Sequence, residues 1–152
     1  MILQRDPRLN DRINKYGCYL MFIFYEVNKY TNYMFSPQII NDLYKVFVSH
    51  GYMDKDCYIT DPNTIFAFLD LPVKYTDRHE SIFRRCEEDE FEALMFRLDR
   101  PNKDPWIHFT AGSGRGTVTY DPYGCSKAVA EGRLMSKRIF RRIKNETSKK
   151  NV

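Results

Sequence analysis

Apolar positions along the chain fall into two regimes: helical spacing up to about residue 70, then strand-like alternation from about residue 91. Residues 1–16 are rich in Asp, Asn, Arg and Pro and predict a short strand or extended arm followed by loop. Gly17 then introduces Cys18 and a run that is apolar nearly all round: Tyr19, Leu20, Met21, Phe22, Ile23, Phe24, Tyr25. With the more polar Glu26 to Tyr30 appended, this reads as a largely buried helix of about three turns that opens at Cys18. Ser36 and Pro37 supply an N-cap and a first helical residue. Ile40, Leu43, Tyr44, Phe47 and Val48 then form one stripe, which Gly51 ends. Asp61 and Pro62 repeat the start signal for a shorter helix through Ile65, Phe66, Phe68 and Leu69, stopped at Leu71 and Pro72.

The charged stretch 78–90 carries no clear period. Residues 91–98, 106–111 and 117–120 read as strands. Between the last two lies Gly112-Ser113-Gly114-Arg115-Gly116, a hairpin turn, since glycine accepts positive φ without strain. A phosphate loop would need a Gly-Lys-Ser/Thr and a following helix, and neither is present. Pairing Ala111 with Thr117 across this turn sets His108 opposite Tyr120, and one bulge would bring Asp121 into register. Helices first and an antiparallel sheet after them predict an α+β fold.

Length and composition narrow the class. The 152 residues, 43% hydrophobic and 15% aromatic, suit one folded domain over 1–145, with a basic, disordered tail at 146–152. No secretory signal and no membrane-length apolar run is seen, so a cytoplasmic protein without membrane insertion is expected. The net charge of +4 is mild but unevenly spread. Arg133, Lys137, Arg138, Arg141, Arg142, Lys144, Lys149 and Lys150 crowd the C-terminal end and read as a solvated helix face with a disordered end. Glu87, Glu88, Asp89, Glu90 and Glu92 read as a solvated acidic face. Cys18, Cys57, Cys86 and Cys125 are too far apart for a metal knuckle or redox pair, so neither a metal nor another cofactor is expected. His50 and His79 read as surface residues, and Cys57, Cys86 and Cys125 as unreactive thiols.

Three residues carry candidate chemistry. Cys18 opens a helix, where unpaired N–H groups and the helix dipole favour a thiolate. His108 alternates with Ile107 and Phe109, so it leaves the apolar face and is placed to exchange a proton with Cys18. Asp121 ends the next strand, in Thr119-Tyr120-Asp121-Pro122-Tyr123-Gly124, where a carboxylate can orient the imidazole. Gln4, then Gly17-Cys18 opening an apolar helix, then His108-Phe109 and Asp121-Pro122-Tyr123-Gly124, resembles the papain-like cysteine peptidases. The likeness is greatest to the branch related to bacteriocin-leader-processing peptidases. The resemblance implies a papain-like fold with the nucleophile at a helix N-terminus. It implies Cys18 as nucleophile, His108 as base and acid, and Asp121 as orienting carboxylate. Gln4 would join the Cys18 N–H in an oxyanion hole. The bulky Tyr19 after the cysteine would narrow the groove.

The expected function is a cysteine peptidase or amidase acting through a thioester on a peptide or protein, with a peptidoglycan peptide among the possible substrates. The alternative is an inactive module of the same fold. It would contact nucleic acid or an acidic protein through the basic C-terminal segment, with Ile139, Phe140 and Ile143 interleaved.

Overall fold

The computed structural model describes residues 1–75 and 80–144. His79 and the tail 146–152 lie outside the described residues. The opening segment, expected as an arm and loop, contains a helix, α1 (Asp11–Tyr16). Its cap is Asn10, whose side chain accepts from the Ile13 N–H at 2.9 Å. Gly17 ends α1 and α2 (Cys18–Thr31) begins at once. A Cβ at Gly17 would stand 2.6 Å from the Ile13 carbonyl, so this tight junction needs glycine.

The all-round apolar pattern of α2 matches its burial: Leu20, Met21, Phe22, Ile23, Phe24 and Val27 are fully enclosed. Each contributes roughly 1.5–3 kcal/mol of hydrophobic stabilisation. α3 (Pro37–Ser49) starts at the expected cap, Ser36, and buries Ile40 and Phe47. α4 (Pro62–Phe68) is capped by Asp61, and buries Ile65 and Phe66 while Phe68 stays exposed.

The sheet joins β1 (Val73–Tyr75), β2 (Glu90–Arg100), β3 (Lys103–Gly112), β4 (Val118–Tyr120) and β5 (Arg133–Arg142). Their spatial order is β1-β5-β2-β3-β4 and the neighbouring strands pair antiparallel. The fold is therefore α+β, helices followed by a five-stranded antiparallel sheet. A short helix, α5 (Lys127–Glu131), separates β4 from β5. On one face of the sheet α2 packs through rings: Tyr19 on Phe109 at 4.9 Å, Tyr25 on Tyr120 at 4.6 Å, Phe22 on Phe140 at 6.0 Å. On the other, Ala128 of α5 closes a smaller cluster with Leu94 and Phe96. No helix among the described residues is long and apolar enough to cross a membrane.

Two expectations about charge are overturned here. The basic C-terminal segment is not a solvated helix face. Over 133–142 it is β5, an interior strand whose Ile139 and Phe140 are fully buried. Nor is the acidic group a solvated face at its end: Glu90 and Glu92 are buried. Glu90 meets Arg84 at 2.9 Å, and Glu92 meets Lys137 at 2.9 Å. The glycine turn has an inward purpose, because the N–H groups of Gly114 and Gly116 both donate to Glu92 Oε2, at 3.0 and 2.8 Å. The loop cradles an anion, and that anion belongs to the chain itself.

Candidate active site

Cys18 is half-buried in the first turn of α2, where the opening amides of a helix have no intrahelical acceptor. His108 lies on β3 opposite Phe96, alternating with Phe109, which packs in the main core. It shares its face with Trp106, whose ring is 5.2 Å from the imidazole; Tyr123 stands 6.3 Å away, edge-on. Only 1% of the His108 side chain is exposed, so its ring nitrogens need partners within the protein.

Asp121 is one of them. His108 Nε2 and Asp121 Oδ1 are 2.7 Å apart. Burial works against a proton on the ring, but hydrogen bonding to Asp121 and to the Cys18 thiol, with their charges, outweighs it and carries the His108 pKa to about 9. With Nε2 on the carboxylate, Nδ1 is the nitrogen left for the thiol. The structure thus sets Asp121 directly on the His108 imidazole, with Cys18 near enough to raise the ring's pKa.

The route to that geometry differs from the hairpin expected. Ala111 pairs with Tyr120 and Gly112 with Val118, leaving Thr119 as the extra residue of a bulge. Ala111 does not face Thr117. β4 ends at Tyr120, and Asp121 begins the turn that follows.

That turn holds the carboxylate on both oxygens. Tyr123 N–H donates to Oδ1 at 3.0 Å; Ser126 donates to Oδ2 through its N–H at 3.1 Å and its hydroxyl at 2.6 Å. Desolvation alone would raise the Asp121 pKa. The bonds from His108 and Ser126 reverse this and hold it below the usual carboxylate range. Ser126 is buried and also caps α5, accepting from the Val129 N–H at 3.3 Å. Sequence reading passed over it, although a serine before a helical segment is an ordinary cap signal. Ser126→Ala is expected to cost about 1–2 kcal/mol through the lost cap and carboxylate bond. Urea unfolding checks this, and Ser126→Thr should recover most of the loss.

Gln4 is buried beside the α1–α2 junction. Its N–H donates to the Pro122 carbonyl at 2.7 Å, tying the N-terminal arm to the Asp121 turn. Its Nε2 donates to the Asn14 carbonyl at 3.1 Å, one helical turn before Cys18. One amide hydrogen is therefore committed, and Oε1 is buried without a hydrogen-bond partner.

Other sequence candidates lie apart from this cluster. His50 is exposed at the end of α3. Cys57 and Cys86 are pushed up to about 12, in each case chiefly by burial, and Cys125 is exposed. All four thiols are free. Among the described residues, no group of three or more His, Cys, Asp or Glu side chains is arranged to hold a metal ion.

No curated protein and no solved structure matches the chain. A family model described as "Protein of unknown function, DUF261" matches residues 1–142, which takes in the whole Cys18, His108 and Asp121 cluster. The chain belongs to the DUF261 family.

Proposed function

We propose that this protein is a papain-like cysteine peptidase or amidase that cleaves a peptide or isopeptide bond. The observation that carries this reading is the buried 2.7 Å contact between His108 and Asp121, on an imidazole that also interacts with a cysteine at a helix N-terminus. Cys18 Sγ attacks the substrate carbonyl, its proton already carried by His108 Nδ1. The Cys18 N–H and the second Nε2 hydrogen of Gln4 receive the developing oxyanion. Collapse breaks the C–N bond, His108 gives its proton to the departing amine, and a thioester remains on Cys18. Water then attacks the thioester, losing a proton to His108, and the acid leaves as the thiol is restored. An imidazole that keeps its proton to about pH 9 is ready to act as the acid for the amine.

The binding-module alternative draws no support from β5. Ile139 and Phe140, which it would use for contact, lie in the interior.

Two measurements test the peptidase reading. At neutral pH iodoacetamide is expected to modify Cys18 at least about tenfold faster than the exposed Cys125, and His108→Ala should erase that difference. Incubation with a peptide pool prepared from a whole proteome should yield new termini, absent with Cys18→Ala. Labelling of Cys18 no faster than Cys125, together with an unchanged peptide pool, would remove the reading.

A further inference from the structure

The basic residues of β5 differ in what faces them. Lys137 meets Glu92. Arg141 lies 3.6 Å from Asp89 and 3.5 Å from Glu90, and Arg133 lies 3.5 Å from Asp99. Arg142 donates to the Glu88 carbonyl at 3.3 Å. Arg138 pairs with no acidic side chain among the described residues. Its guanidinium lies over two rings instead, 4.3 Å from the centroid of Phe109 and 5.0 Å from that of Tyr19. Its Nε is sealed against them without an acceptor, whereas the two terminal nitrogens are neither sealed nor bonded within the described residues.

Those two rings belong to the neighbours of the candidate chemistry. Tyr19 directly follows Cys18 and Phe109 directly follows His108. At 3.8 Å between successive Cα atoms and about 3.3 Å per extended residue, Arg138 is within roughly four residues of bound peptide from Cys18, on the side of the sheet that α2 covers, while His108 projects from the other side of β3. Its strand position faces Ala93, which in turn faces Ala111, two small buried residues on the face that α2 covers. Stacking fixes the plane of the guanidinium and removes water from one side, which strengthens its pull on an anion. A planar fork with two open nitrogens fits a carboxylate through paired hydrogen bonds.

We infer that Arg138 sets substrate specificity by binding a carboxylate within about four residues of the scissile bond. That carboxylate is either an acidic side chain or a free C-terminus. This rests on the peptidase reading of Cys18 and His108.

The test uses the full chain and the proteome-derived peptide pool, comparing wild type with Arg138→Gln and Arg138→Lys. Wild-type cleavage sites are expected to be enriched roughly tenfold for a carboxylate at one fixed position, the scale of a charge-assisted hydrogen bond. Enrichment of Asp and Glu at that position identifies a side chain; a fixed distance to the peptide end identifies a C-terminus. Arg138→Gln should bring the enrichment to about one, and Arg138→Lys should keep part of it, since charge remains but the fork is lost. Cleavage without such a preference, or a preference that survives in Arg138→Gln, overturns this inference and leaves the peptidase reading standing. No wild-type cleavage at all overturns both.

Discussion

Lys137→Met is expected to destabilise the protein by about 3–5 kcal/mol, because it strands a carboxylate inside the fold. Glu92 is fully buried, and its Oε1 lies 2.9 Å from a Lys137 ammonium that is itself 1% exposed. The same ammonium donates to the Arg84 carbonyl at 2.8 Å, and that carbonyl would lose its donor too. Oε2 would still accept from Gly114 and Gly116, but two peptide N–H groups do not neutralise a charge. The glycine loop adds a steric demand: a Cβ at Gly112 would run into the Glu92 carboxylate, so the loop accommodates this side chain only with glycine there. Urea unfolding at neutral pH measures the effect. The double variant Lys137→Met with Glu92→Gln should lose less than the sum of the two single changes, as expected when one substitution removes the partner of the other. A Lys137→Met loss below about 1 kcal/mol would mean that the ion pair does not hold the loop.

This pair also shows where sequence reading stops. The helices α2, α3 and α4 were legible because apolar spacing and a start signal agreed: Ser36 with Pro37, Asp61 with Pro62, Gly17 before an apolar run. α1 was missed because a six-residue helix burying one residue, Ile13, leaves almost no period to read. β5 was missed for a different reason. Its inward residues include Lys137, and a bulge where Met95 and Phe96 face the strand breaks the alternation that would have revealed it. Composition suggests that Lys and Glu belong in water; only the pairing of two distant strands shows that they neutralise each other. At the candidate site, Cys18, His108 and Asp121 could be named from local pattern. The register joining the last two could not, since it depends on the Thr119 bulge and on a turn held by Ser126.

Stability is expected to fall as pH rises from about 5 to about 8, and Glu26→Gln is expected to remove most of that slope. Glu26 lies on α2, fully buried, and neither carboxylate oxygen has a hydrogen-bond partner. Burial dominates and raises its pKa from 4.5 to about 8; Lys29 opposes the shift and the Glu92 charge adds to it. The folded protein therefore keeps a proton there that the unfolded chain gives up above pH 4.5. Stability is complete below that value and declines until the folded group also ionises near pH 8. At about 1.36 kcal/mol per unit, the decline from about pH 5 to about pH 8 is on the order of 4 kcal/mol. His108, raised from 6.5 to about 9, has the same sign and adds its own loss from 6.5 upward. Asp121 and Glu90 act in the other direction. Both are held below their ordinary values, so their contributions are present at neutral pH and are lost on acidification. Glu26→Gln leaves His108, Asp121 and Glu90 in place and substitutes a neutral amide, whose own burial cost does not change with pH. The gap between the variant and wild type should therefore widen steadily from about pH 5 to about pH 8, in favour of the variant. Parallel curves of unfolding free energy against pH would show that Glu26 meets water or a cation in the folded protein, and that its burial carries no such cost.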